Sequence, residues 1–279
     1  MAETANKFIK LLPFANAVGN GMNTLDILGN TRGNTIERIH FQLGGTALTK
    51  AMMTKIQLKA NAGKLIFDDT GANIDAREQF RGIAADAAFL TLDFAEIRSK
   101  TAMGQSLGAI DTTFGIGALK AEVTIAGATA PTLQGWAEVS APQVAPEQQG
   151  TRGLIAKVIT ANQPIVGAAN KIALAVPGFG DTRALVKRVH IFHTGHCTGV
   201  EVKKGGITRF EADKPTNEYV QKQFQRTPQA NVFTIDFIKD GNQSNVFNSY
   251  GDSVEFYGTF DAADTLVMVS ELLVPLESF

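Results

Sequence analysis

Apolar and polar residues alternate with a period of two through much of the chain. Ile39, Phe41 and Leu43 alternate with Arg38, His40 and Gln42, and Leu90, Leu92 and Phe94 alternate with Thr91 and Asp93. Later, Val189 and Ile191 alternate with Arg188 and His190, and Phe233, Ile235 and Phe237 with Thr234 and Asp236. Each pattern predicts a strand with one face in a core. Turn chemistry recurs between such segments at Gly19-Asn20-Gly21, Gly44-Gly45, Asn61-Ala62-Gly63, Gly205-Gly206, Asp240-Gly241 and Tyr250-Gly251-Asp252. Short strands separated in this way predict a sandwich or barrel, not βαβ units. Two stretches, 73–80 and 215–224, break the alternation and predict short helices; Pro215 suits a first helical turn.

The strand pattern is written twice, in the same order. TIERIHFQLGG (35–45) answers LVKRVHIFHTG (185–195), sharing Arg, a β-branched residue and His at an offset of 150. IQLK (56–59) answers VEVK (200–203), and NIDAREQF (73–80) answers NEYVQKQF (217–224), both at 144. LTLDF (90–94) answers FTIDF (233–237) at 143, and TLQGWAEV (132–139) answers TLVMVSEL (265–272) at 133. Ordered blocks at a slowly shrinking offset indicate a tandem duplication whose first copy has the longer connections. Equal parity in the two copies also means equal register, because a one-residue slip would turn every side chain to the wrong face.

Residues 141–153, APQVAPEQQGTRG, have the composition of a linker and predict domains 1–145 and 146–279. Residues 8–28 would open the first copy, and 154–165 with 171–176 the second. About eight strands per copy predict an all-β chain of two tandem jelly-roll sandwiches, each with one short helix between its fourth and fifth strands. The long connections, 95–118 and 238–252, would lie at one end of each sandwich.

Composition narrows the function. A chain of 279 residues, 44% hydrophobic and 19% charged, can form two ordinary cores. A net charge of −1 without a basic run argues against nucleic acid as a direct partner. Cys197 is the one cysteine, so no intrachain disulfide is expected. No apolar run is long enough for a transmembrane segment, and the N-terminus lacks the features of a signal peptide. Phe8, Ile9, Leu11, Leu12 and Phe14 read as a first strand or packed arm, with an amphipathic anchor as the alternative.

Candidate chemistry is sparse. His190, His193, His196 and Cys197 form a metal-like run, HIFHTGHC, but its spacing is not that of a closed zinc site, and His190 has a counterpart in His40 where no such run exists. The pairs Asp68-Asp69 and Asp261 with Asp264 could collect calcium, although solvated turns explain them as well. Asp93 and Asp236 recur at one place in the repeat, opposite the core, and could pair with basic residues across domains or subunits or remain in solvent. Gly178-Phe179-Gly180-Asp181 and Gly115-Ile116-Gly117 match neither phosphate-binding pattern and read as loops. Trp136 lies in a shared strand block and is expected in the core. No catalytic residue and no required cofactor emerge, and the expectation is a protein that is not an enzyme.

The opening LLPFANAVGNGMNTLDI (11–27), the RVHI strand, NVFTIDF (231–237) with its acidic-Gly turn, and the paired strand-helix-strand blocks resemble the major capsid proteins of corticoviruses. These are tailless icosahedral bacteriophages with an internal membrane. The resemblance covers most of the chain and implies a double jelly roll, a homotrimer of pseudo-hexagonal outline, and a shell of trimers over a lipid vesicle. It further implies a virion location after assembly in the bacterial cytoplasm, penton, minor capsid and membrane proteins as partners, and structural calcium at subunit contacts to which no residue here is matched. Physically, three chains with two like domains present six similar edges, which suits a lattice tile. The alternatives are a jelly-roll carbohydrate-binding module and a bicupin-like metal protein; the latter would need a His-x-His pair, which the chain lacks.

Overall fold

A computed structural model describes residues 7–142, 153–179 and 184–275. The linker and the 145/146 boundary lie in or beside a stretch outside the described residues, as do Gly180 and Asp181. Two compact units result, one drawn from Met1–Glu78, Ala84–Lys157 and Val274–Phe279, the other from Gln79–Ile83 and Val158–Leu273.

In the first unit the strands are β1 (Lys7–Lys10), β2 (Gly21–Asp26), β3 (Thr35–Ala47), β4 (Met53–Ala60), β5 (Lys64–Asp69), β6 (Phe89–Asp93), β7 (Ile110–Asp111), β8 (Leu119–Ile125) and β9 (Thr129–Ser140). One sheet has the order β1-β9-β3-β6, with the short β7 also on β3; the other is β2-β8-β4-β5. Helix α1 (Leu28–Thr31) follows β2, α2 (Gly71–Phe80) follows β5, its last two residues being counted with the second unit, and α3 (Ala102–Ser106) lies in the long connection after β6.

The second unit contains β10 (Leu154–Ile165), β11 (Ala169–Ala173), β12 (Leu185–Phe192), β13 (Cys197–Lys204), β14 (Ile207–Asp213), α4 (Lys214–Gln223), β15 (Val232–Asp236), β16 (Phe247–Asn248), β17 (Val254–Phe260) and β18 (Asp264–Pro275). Its sheets read β10-β18-β12-β15 and β11-β17-β13-β14. Setting aside the short β7 and β16 and numbering the eight long strands of each unit in chain order, both units have one sheet of order 1-8-3-6 and one of order 2-7-4-5. This is jelly-roll wiring, and it is the same in both copies. The helix lies between the fifth and sixth strands in each, one place later than the spacing suggested, because the β4–β5 and β13–β14 hairpins both precede it.

Local chemistry accounts for these elements. The β13–β14 hairpin turns on Gly205 and Gly206, whose φ of 57° and 76° are those of a type I′ turn. Helix α4 starts where Asp213 Oδ1 accepts from the Thr216 N–H at 2.9 Å, and α2 where Thr70 Oγ1 accepts from the Asn73 N–H at 3.2 Å. Gly44-Gly45, expected as a turn, instead lies inside β3, opposite Thr132 and Pro131. Its φ of 89° and its approach to the Ala130 carbonyl, 2.1 Å from where a Cβ would stand, explain the glycine at 45.

The core faces are those the alternation predicts in the first copy: Ile39, Phe41, Leu90 and Leu92 are buried. In the second copy β12 is buried on both faces, so Lys187, Arg188 and His190 are buried along with Val189 and Ile191. The period-two pattern remains, but it no longer separates core from solvent.

Candidate functional site

The outer face of the 1-8-3-6 sheet carries the same polar set in both units. In the first, Arg38 and His40 on β3 face Asp93 and Thr91 on β6 and Glu138 on β9 through the strand register. In the second, Arg188 and His190 on β12 face Asp236 and Thr234 on β15 and Glu271 on β18. His40 Nδ1 lies 2.9 Å from Thr91 Oγ1, and His190 Nδ1 lies 2.9 Å from Thr234 Oγ1. Each imidazole Nε2 meets a glutamate: His40 with Glu138 at 3.1 Å, His190 with Glu271 at 3.4 Å. Arg38 pairs with Glu138, as Arg188 Nη1 does with Glu271 at 3.0 Å. The duplication has therefore preserved a three-strand network and not merely a motif.

Burial separates the two networks. Arg188 is 0% exposed and its Nε lies 3.1 Å from Asp236 Oδ1, whose partner oxygen accepts from Arg226 Nε at 2.9 Å. The Phe80 ring stands edge-on to His190, centroids 5.6 Å apart. Asp236 is thus buried and paired with arginines of its own unit, which corrects both expectations for this position, a partner across domains or subunits and exposure to solvent. In the first unit Arg38, His40 and Glu138 stay partly open to solvent. Burial nonetheless lowers the His40 pKa from its ordinary value, with Glu138 pulling it back upward and Arg38 adding to the fall. A neutral ring that donates from Nε2 to Glu138 and accepts at Nδ1 from Thr91 suits that shift.

Trp136 is on this outer face, opposite His40 on β9, and so is not a core residue as expected. Phe8 of β1 stacks on it at 5.2 Å and 9°, lies 5.9 Å from His40, and is itself 60% exposed. The alternation-based reading missed this because β9 buries its small and branched residues, Ala137 and Val139, and turns the large ring outward. The N-terminal segment is a first strand, with Leu11 and Phe14 buried behind it.

The remaining candidates serve local structure. Asp264 is buried; burial alone would raise its pKa, but the Thr194 N–H and hydroxyl and the N–H groups of His196 and Thr265 together hold it below the usual carboxylate range. Asp261 instead pairs with the half-exposed His196 at 2.9 Å. His193 is buried, accepts at Nδ1 from the Gly195 N–H at 3.0 Å, and has its pKa lowered by that burial and by Lys214. The Cys197 thiol is pushed up to about 12 by burial. Asp69 is buried against Arg77, Asn73 and the Thr70 N–H, while Asp68 accepts from Gln57. Asn61 bridges the Gly115-Gly117 loop, accepting from the Gly117 N–H at 2.8 Å and donating to the Gly115 carbonyl at 2.9 Å. Gly178 and Phe179 sit in a turn, the ring against Phe256 at 4.5 Å. Among the described residues no group of three or more His, Cys, Asp or Glu is arranged to hold a metal ion, and no helix is long and apolar enough to cross a membrane.

Comparison with known proteins follows the same division. The model of the viral coat protein P2 N-terminal domain matches residues 8–140, and that of the viral coat protein P2 C-terminal domain matches residues 155–276. Among solved structures, the chain is similar to the major capsid protein P2 of bacteriophage PM2, with a TM-score of 0.81 at 16% identity over 97% of this chain and 98% of that one. A chain of Sulfolobus Turreted Icosahedral Virus gives a TM-score of 0.70 at 14% identity, covering 96% and 90%. The PBCV-1 virus capsid gives 0.61 at 13%, covering 98% and 95%. No curated protein sequence matches. With both domain models matched in order along two jelly rolls of identical wiring, the chain belongs to the viral coat protein P2 family.

Proposed function

We propose that this coat protein builds an icosahedral phage shell from pseudo-hexagonal homotrimers around an internal lipid membrane, without enzymatic activity. The observation that carries the reading is the identical wiring of two jelly rolls in one chain, in a coat-protein family whose solved neighbour from PM2 is a major capsid protein. Three such chains supply six similar sandwiches, and a six-sided tile covers a curved lattice with few distinct contacts. Trimers would meet one another and the penton, minor capsid and membrane proteins of the virion. Assembly would take place in the host bacterial cytoplasm. Any structural calcium would sit between subunits, where carboxylates of two chains could combine.

Light scattering and native mass measurement of the purified chain test the trimer, with a mass of three chains expected and a persistent monomer at high concentration refuting it. Electron microscopy of particles from producing cells should show an icosahedral shell over a bilayer, and a shell without one would remove the membrane from the reading. Chelation should lower the thermal stability of particles if calcium joins subunits, and unchanged melting would exclude that role.

A further inference from the structure

The two copies place the same phenylalanine in opposite surroundings. Phe80 ends α2 and belongs to the second unit, where it is 1% exposed, lies edge-on to His190, and accepts at its carbonyl from the Thr227 N–H at 2.9 Å. Its repeat partner, Phe224, closes α4 at the same offset that relates the two helices, yet it is 40% exposed. The repeat partner of His190 is His40, which lies with Phe8 and Trp136 on a partly open sheet face. Each chain therefore carries one buried Phe–His pair and, at the equivalent places of the repeat, an exposed phenylalanine and a partly open histidine bordered on one side by Phe8.

Resting on the assembly reading above, we propose that Phe224 of one copy seats on the His40 face of the first jelly roll of a second copy, reproducing the Phe80–His190 contact between chains. A second copy fits better than an unrelated partner, because the internal pair already shows what this face accepts: an aromatic ring at the end of a helix. The imidazole is oriented beforehand by Thr91 and Glu138 as its counterpart is by Thr234 and Glu271, and the neighbouring Phe8 and Trp136 rings extend the surface that a second ring would meet. Donor and acceptor are different surfaces, so the contact is head-to-tail. It closes into a ring only if the rotation between copies allows it. An edge-on aromatic pair adds to the apolar area it covers, and Phe8 and Trp136 supply apolar area beside it.

The test places the photo-crosslinker p-benzoylphenylalanine at position 224 of the full chain and mixes it with isotope-labelled unmodified chain. After irradiation, adducts joining residue 224 to labelled peptides from β3 or β9 around His40 and Trp136 are expected. Phe224→Ala should weaken association at least tenfold while leaving the melting temperature of the dilute chain unchanged. Phe80→Ala should instead lower that temperature. Trimers that carry adducts only elsewhere, or Phe224→Ala chains that associate like the wild type, overturn the contact and leave the trimer standing. A wild-type chain that stays monomeric overturns both.

Discussion

The duplicated network offers a controlled experiment in burial, because one substitution can be made at equivalent places with the same partners. Glu271→Gln removes the charge that faces Arg188 at 3.0 Å and His190 at 3.4 Å, in a site where Arg188 is fully buried. Breaking a buried ion pair from one side costs about 3–5 kcal/mol, since the remaining charge keeps its desolvation penalty. Glu138→Gln makes the same change opposite Arg38 and His40, where the paired side chains are 23% and 25% exposed. Water can replace much of the lost interaction there, and the expected cost is about 0–1 kcal/mol. With about 2–4 °C per kcal/mol for chains of this size, Glu271→Gln should lower the melting temperature by about 6–20 °C and Glu138→Gln by about 4 °C at most. Calorimetry at protein concentrations below assembly is the assay, with both transitions followed if the units melt separately. Equal losses for the two variants, or the larger loss for Glu138→Gln, would refute the assignment of the difference to burial.

Three further outcomes follow from the geometry. Gly45→Ala should cost about 1–3 kcal/mol, because the alanine inherits a φ of 89° beside the Ala130 carbonyl; chemical denaturation measures it, and a neutral result would show that β3 can shift there. His193 and His40 both have lowered pKa values, so the unfolded chain binds more protons than the folded one as pH falls toward and below about 6.5. Their contribution is complete above that pH and lost beneath it, and His193→Asn should flatten the fall in stability between pH 7 and 5; an unchanged slope would remove His193 from the account. Cys197, buried and with its thiol near 12, should react with a thiol reagent only on unfolding, and rapid labelling of the native chain would contradict its place at the start of β13.

Much of this architecture was legible in the order of residues. The paired blocks at 35–45 and 185–195, and at 90–94 and 233–237, fall on β3, β12, β6 and β15, and the linker composition separates the two matched domain models. Local rules suffice for that, because alternation, glycine turns and helix caps act over a few residues and each copy repeats them. Trp136 and Gly44-Gly45 escaped the same rules: which face of β9 meets the core, and whether two glycines end a strand or lie within it, depends on the neighbouring strand.

The sequence by itself determined that one sandwich is present twice, in equal register, with an Arg-x-His pair, a Thr-x-Asp pair and a glutamate at matching places in each copy. Only the tertiary structure decided that the pair is fully buried at Arg188 and His190 and partly open at Arg38 and His40. It alone showed Phe80 covered and Phe224 left in solvent. The physical reason is that the repeat specifies hydrogen bonds between adjacent strands, which are local in each copy. What lies over a finished sheet comes from residues distant in the chain, and no pattern within the sheet encodes it.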